Sequence, residues 1–239
     1  MNIRWISFIK RNLTTKVWEV IHKKLFINIK SEKNIIDHFH RLYYESPRRT
    51  RRNTFWLGVQ AQKCPLDLWI YQEIIFETRP DIIIETGTAK GGSALFLASI
   101  CDLVGKGEII SIDIEDKENK PGHPRIKYLL GSSTSEEIVE KVQAVIRGKD
   151  RIMIILDSDH QKEHVLRELE IYSKFITRES YIIVEDTNIN GHPVRSTFGP
   201  GPMEAVKEFL KLNEDFIIDR SREKFYLTFN PDGYLKKMK

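Results

Sequence analysis

The chain has only two cysteines, Cys64 and Cys101, and their placement gives no metal-ligand spacing and no disulfide framework. A reducing, cytoplasmic setting is the simplest expectation. No run of about 18 apolar residues occurs, so a membrane-spanning helix is not expected. Lys10, Arg11, Lys16, Lys23 and Lys24 interrupt every apolar stretch near the N-terminus, so the apolar core of a secretory signal is missing too. The sequence has neither the G-x-G-x-x-G of dinucleotide binders nor the Gly-Lys-[Ser/Thr] of a phosphate loop. It also lacks a strong charge of one sign, with 38 Lys+Arg against 34 Asp+Glu. What is present is 41% hydrophobic residues over 239 positions, enough for one good core and against overall disorder.

The mild net charge hides an asymmetry. Residues 1–53 carry 13 Lys/Arg and 4 Asp/Glu, a net of +9, and the remainder is net −5. Within the basic segment Trp5, Ile9, Leu13, Val17, Ile21 and Leu25 recur every four residues and predict one helix stripe. That stripe is expected to pack on its own domain or on a second subunit, as in a homo-oligomer. The alternative is a peripheral contact with an anionic membrane, at the inner face of the cell membrane. The aromatics follow the apolar stripe and do not alternate with the charges, so no nucleic acid is expected as a partner. A second cluster, Pro47-Arg48-Arg49-Thr50-Arg51-Arg52, follows a short helical pattern around Ile35–Tyr44 and reads as a mobile connector. This places a basic helical extension over 1–53 and the main domain over 54–239.

After residue 53 short apolar runs alternate with amphipathic ones. Strands are expected at 81–85, 108–113, 126–130, 151–156 and 181–184, with two closing strands at 216–219 and 225–229. Helices are expected at 66–78, 93–103, 135–147, 163–175 and 203–212. Continuous apolar strands separated by helices predict a doubly wound α/β domain around a mostly parallel, seven-stranded sheet. Such sheets bind ligands beyond the carboxyl ends of their strands.

The first strand runs into Glu85-Thr86-Gly87-Thr88-Ala89-Lys90-Gly91-Gly92-Ser93, where the glycines allow a tight turn and close approach of a ligand to backbone N–H groups. An acidic residue opening that turn suits a cationic ligand and points to S-adenosylmethionine. Asp113, ending the second strand, can accept the two hydroxyls of a ribose. Ser132 and Ser133, after the third, can meet an adenine edge, although Ser133 or Thr134 also reads as a helix N-cap. The fourth strand ends in Asp157-Ser158-Asp159-His160 and the fifth in Glu185-Asp186-Thr187-Asn188. Carboxylates gathered from neighbouring strands repel unless a cation neutralises them, and oxygen ligands select Mg²⁺, Ca²⁺ or Mn²⁺. His160 is close enough to serve the same pocket, and His164 reads as a helix-face residue. The long loop 187–201 is expected to cover a substrate, with His192 and Arg195 as candidates for facing a sugar or phosphate.

Five segments carry a resemblance: Trp69-Ile-Tyr-Gln-Glu73, Glu85–Ser93, Leu156-Asp-Ser-Asp-His160, Val184-Glu-Asp-Thr-Asn188 and Gly199-Pro-Gly-Pro-Met-Glu204. Together they resemble the cephalosporin hydroxylase family over roughly residues 53–230. The resemblance implies the Rossmann-like fold of S-adenosylmethionine-dependent methyltransferases, grouped with rhamnosyl and macrolide-sugar O-methyltransferases. It implies cofactor contacts at Glu85, Gly87, Thr88, Ser93 and Asp113, with Ser132 or Ser133 near the adenine. It implies Mg²⁺ on Asp157, Glu185 and Asp186, and His160 as general base. The expected reaction is Mg-assisted O-methylation of a sugar hydroxyl on a glycan, glycolipid or glycosylated natural product.

Two other classes compete. A metal-dependent hydroxylase of a small natural product would favour two histidines and one carboxylate, whereas carboxylates dominate here. A non-catalytic membrane- or nucleic-acid-associated module would leave the intact acids and His160 without a purpose.

Overall fold

The computed structural model describes residues 29–239. The apolar stripe of Trp5 to Leu25 lies outside the described residues. Two compact units divide the chain, one ending at Leu42 and one running from Tyr43 to Lys239. In the first, helix α1 (Ile29–Glu45) begins; its Ile35, Phe39 and Leu42 are exposed.

The second unit opens with an ordered turn and not a loose connector. Thr50 donates its hydroxyl to the carbonyls of Tyr43 (2.7 Å) and Ser46 (2.9 Å), and a single 3₁₀ turn follows at Arg51–Asn53. A two-stranded hairpin comes next, β1 (Phe55–Trp56) and β2 (Val59–Gln60). Its two turn residues, Leu57 and Gly58, both have positive φ, the backbone that matches the twist of paired strands. Trp56 anchors the hairpin edge-on against Phe96 and donates its indole N–H to Ser99 at 3.1 Å.

Beyond it stand α2 (Pro65–Thr78), β3 (Ile82–Thr86), α3 (Gly92–Val104), β4 (Glu108–Asp113), β5 (Ile126–Leu130) and α4 (Glu136–Ile146). Then follow β6 (Ile152–Leu156), α5 (Lys162–Tyr172), β7 (Tyr181–Val184), α6 (Pro202–Leu212), β8 (Phe216–Ile218) and β9 (Tyr234–Lys237). The seven-stranded sheet has the order β5-β4-β3-β6-β7-β9-β8, with β9 antiparallel to both its neighbours and all other pairings parallel.

Alternation along the central strands builds both cores. Ile82, Ile84, Ile152, Ile154 and Leu156 pack with α4, α5 and α6 on one face. Ile83, Met153 and Ile155 pack with α2 and α3 on the other. Burial on both faces explains why these strands are apolar without interruption. The strand order reverses between β3 and β6, and the space beyond their carboxyl ends is where such sheets receive ligands.

The last expected strand is corrected. Residues 225–229 are not in the sheet, and Tyr234–Lys237 supplies the closing strand instead. Leu227 and Phe229 bury against Tyr44, Ile189 and Val194 in a separate cluster. The backbone there is pinned by buried Asp67, which accepts from Thr228 Oγ1 (2.5 Å), Phe229 N (2.8 Å) and Tyr234 Oη (2.9 Å).

Candidate active site

Register brings the acids together. Leu156 of β6 pairs with both Thr86 of β3 and Val184 of β7. Asp157 and Glu185 each stand one residue past that row, and each donates its backbone N–H across to the neighbouring strand, to Thr86 O (3.0 Å) and Leu156 O (2.9 Å). Asp186 turns the chain with φ +53°, and its N–H meets the side chain of buried Asn230 at 3.3 Å. Asn230 in turn donates to the Tyr71 hydroxyl at 2.8 Å.

Gly87 makes this approach possible. A Cβ there would lie 1.9 Å from the carbonyl oxygen of Asp157, and its φ is +91°. Gly92 has a similar duty toward the hairpin, since a Cβ would sit 2.4 Å from Gln60 O. These glycines let chain meet chain.

The sequence reading missed the cation in the middle of the group. Lys63, 3% exposed, places Nζ 2.5 Å from Asp157 Oδ2 and 2.5 Å from Glu185 Oε1. Its partners lie 94 and 122 positions away, so no local pattern announces it. One signal existed: Lys63 is the only charged residue between Thr54 and Leu66. Burial disfavours its charge, but Asp157, Glu185 and Glu85 more than reverse that and hold the ammonium protonated. Burial also pushes the Glu185 carboxyl up, with Asp157 beside it adding to the rise and Lys63 opposing it. Asp157 goes the other way: against desolvation, Lys63 and His160 pull it below its usual range. The two carboxylates that share Lys63 are thus pulled in opposite directions, Asp157 toward its charged form and Glu185 toward its neutral one.

His160 closes the other side. Its Nε2 lies 3.2 Å from Asp157 Oδ1 and 3.4 Å from Asp186 Oδ2. Burial lowers its affinity for a proton, but the Asp157 hydrogen bond and the charge of Asp186 outweigh this and raise its pKa to about 9. Ligand atoms of Asp157, His160 and Asp186 all lie within 4.8 Å of one another. The two carboxylates of this group, with Glu185 adjoining, fit a hard divalent cation, and His160 stands beside them.

One cavity of ≈ 670 Å³ joins this group to the strand ends predicted for a nucleoside. Gly87, Asp113, Ser132, Ser133, Asp157, His160, His164 and Phe198 are among its lining residues. Asp113 is oriented by the N–H groups of Ala89 (2.9 Å) and Glu115 (3.0 Å). The volume and the convergence of a few polar groups suit a cofactor-sized ligand.

Glu85, Thr88 and Ser93 do not line the cavity. They are buried beneath it, where Ser111 donates to Glu85 Oε2 at 2.8 Å and shares a hydrogen bond with Thr88 at 2.8 Å. Ser133 is not the helix N-cap. Ser135 caps α4, and Ser133 faces His164 Nε2 at 3.2 Å. His164 also leans on buried Glu168 (3.5 Å) and stands outside the metal-type group. Asp159 accepts from Gln161 N at 3.0 Å and shapes the entry to α5. The loop after β7 is braced from within by Val194 N to Asn188 O (3.1 Å) and Gly191 N to Val194 O (2.7 Å). His192 there meets Glu204 at 2.8 Å.

Known proteins resemble this chain over most of its length. The family described as Rhamnosyl O-methyltransferase/CmcI matches residues 48–238. A rhamnosyl O-methyltransferase of Mycobacterium leprae is 36% identical over 208 residues, covering 84% of this chain and 90% of that protein. One of Mycobacterium tuberculosis is also 36% identical, covering 84% of each. Among solved structures, apo CmcI aligns with a TM-score of 0.63 at 18% identity, over 79% of this chain and 77% of that one. The O-methyltransferase TomG from Streptomyces achromogenes, in complex with SAM, aligns with 0.52 at 13% identity, over 92% and 95%. These two structural likenesses show the fold. The family match and the mycobacterial relatives show more, and they bear out the resemblance read from the five segments: the chain belongs to the rhamnosyl O-methyltransferase/CmcI family.

Proposed function

We propose that this protein is an S-adenosylmethionine-dependent O-methyltransferase that acts, with Mg²⁺, on a hydroxyl of a sugar. The observation that carries the reading is a single cavity reaching from Asp113, Ser132 and Ser133 to Asp157 and His160. A nucleoside end and an acid end in one chamber are what a methyl donor and a chelated diol require. The curated relatives named rhamnosyl O-methyltransferase support the sugar.

S-adenosylmethionine, when bound, supplies a methyl group on a sulfonium, already activated for displacement. Mg²⁺, when bound, lowers the pKa of a coordinated hydroxyl and fixes its direction. Asp157 and Asp186 would hold it, with Glu185 adjoining. The chain's own part is orientation and proton transfer. Asp113 is pre-aimed by two backbone N–H groups for a ribose, and Ser132 and Ser133 stand where the base would lie. Fixing both reactants in attack geometry can supply about 7–11 kcal/mol of the barrier. His160 receives the acceptor proton at Nε2. Paired with Asp157 and Asp186, its imidazole is held toward the protonated form. A divalent cation held by those two acids would offset their charge and favour the neutral imidazole that a base needs.

The direct test is methyl transfer from labelled S-adenosylmethionine to a panel of free, nucleotide-linked and lipid-linked sugars, with Mg²⁺ and with EDTA. Metal-dependent label in a sugar is expected, and no transfer to any hydroxylated acceptor refutes the reading. The charge of residues 1–53 supports contact with an anionic membrane, and the apolar stripe in their sequence supports packing on a second copy of the chain. Liposome co-sedimentation and sedimentation velocity of the full chain separate those two.

A further inference from the structure

Two cations beside the acid group are left unused by the chemistry above. Arg51, in the 3₁₀ turn Arg51–Asn53, lays its guanidinium over the ring of buried Tyr44, 4.7 Å from the centroid. Its Nε is buried and has no hydrogen-bond partner. Arg195, in the loop after β7, lays its guanidinium over Phe198 at 4.8 Å, and Phe198 lines the cavity with Asp157 and His160. Tyr44 joins the two, since the charges of both Arg51 and Arg195 act on its hydroxyl. Arg125, Arg220 and Arg222 are each closed off by a carboxylate. Neither Arg51 nor Arg195 is within ion-pair distance of one among the described residues.

Their position is telling. They stand at the Asp186 side of the site, where Arg51 is near enough for its charge to act on Asp186. The nucleoside end, at Asp113, Ser132 and Ser133, lies elsewhere in the cavity. A planar guanidinium stacked on an aromatic ring is held in direction and keeps its donors for an outside oxyanion. Arg195 adopts a left-handed backbone, φ +48°, an arrangement that surrounding structure must hold in place.

Resting on the methyltransferase reading, we infer that Arg51 and Arg195 form a subsite for the phosphoryl group of the acceptor, so that the sugar is methylated while still joined to a phosphate or diphosphate. A nucleoside diphosphate sugar and a prenyl diphosphate sugar share that chemistry. The carrier thus fixes the sugar from one side, and the acid group holds the reacting hydroxyls from the other.

Two measurements on the full chain test this. The first is calorimetric titration with inorganic pyrophosphate in the absence of metal, so that chelation plays no part. Binding is expected, and Arg51→Gln and Arg195→Gln should each weaken it about tenfold or more, the value of one charge-assisted contact. Arg178→Gln, which removes an exposed charge elsewhere, is the control. No binding to the wild type, or equal weakening by the control, overturns the subsite. The second compares kcat/KM for a free hexose, a nucleoside diphosphate hexose and a short-prenyl diphosphate hexose. At least one diphosphate acceptor should exceed the free sugar about tenfold, and the ratio should collapse in both arginine variants. Which carrier is favoured identifies the source. Equal turnover of all three overturns the subsite and leaves the methyltransferase reading standing. If no sugar is methylated, that reading falls, and the pyrophosphate titration alone still decides the subsite.

Discussion

Lys63→Met removes one ammonium and keeps an apolar stem of similar length, so it isolates charge from packing. The ammonium bridges two carboxylates at 2.5 Å each, with the Lys63 side chain 4% exposed and that of Glu185 6%. Taking one partner from a buried ion pair typically costs about 3–5 kcal/mol, because the other charge stays behind. The lower end applies here, since Glu185 already leans toward its neutral form and can keep a proton. For a chain of this size about 1 kcal/mol corresponds to roughly 2–4 °C. The metal-free variant should therefore melt roughly 6–12 °C below the wild type when unfolding is followed by circular dichroism in EDTA. A divalent cation offers Asp157 and Glu185 the positive charge they have lost, so Mg²⁺ should raise the melting temperature of Lys63→Met more than that of the wild type. A ligand at about 100 times its Kd adds about 2.7 kcal/mol, and the gap closes to the extent that Mg²⁺ binds Lys63→Met more tightly than the wild type. Equal melting temperatures in EDTA, or an equal response to Mg²⁺, would refute the claim that Lys63 balances the acid group.

His160→Ala should keep S-adenosylmethionine and Mg²⁺ binding by calorimetry and lower kcat by about 10²–10⁴; normal turnover would remove it from the base role. Asp157→Ala should abolish Mg²⁺ binding and activity together. Gly87→Ala forces a Cβ to 1.9 Å from Asp157 O at φ +91°, so it should lose about 2–3 kcal/mol in urea unfolding and weaken Mg²⁺ binding by moving Asp157. Burial raises the Asp67 carboxyl to about 6, with its three donors opposing that rise. A raised carboxyl makes stability fall as pH increases from about 4 to 6, by about 1.4 kcal/mol for each pH unit, and Asp67→Asn removes that slope. The deficit of Asp67→Asn relative to wild type should thus be larger at pH 5 than at pH 7 in urea titrations, and a constant deficit would contradict the assignment.

The sheet was legible because its central strands are buried on both faces. Ile82–Ile84 and Ile152–Leu156 can hardly be anything but core, and their ends fixed where the acids would meet. The closing strand was not legible. Phe225, Leu227 and Phe229 alternate as a strand should, but the partners of Leu227 and Phe229 are Tyr44 and Ile189 in a separate cluster. Tyr234–Lys237 offers only two apolar residues after an Asn-Pro-Asp-Gly turn, and its place between β7 and β8 is set by pairing across the sheet. In the site, Asp157, Glu185 and Asp186 could be read because strand ends converge in any doubly wound sheet. Lys63, Arg51 and Tyr44 precede the sheet in sequence, and only the fold brings them alongside.

The hairpin Phe55–Gln60 and the short passage to Lys63 give a practical measure of where the working unit starts. A fragment cut at Pro65 would retain all strands of the large sheet and every acid of the site. It would pass for a complete domain by topology. It would also have surrendered the ammonium between Asp157 and Glu185, the guanidinium of Arg51 and the aromatic support beneath it. The boundary that matters for this protein is a chemical one, and it lies upstream of the boundary that a fold diagram would draw.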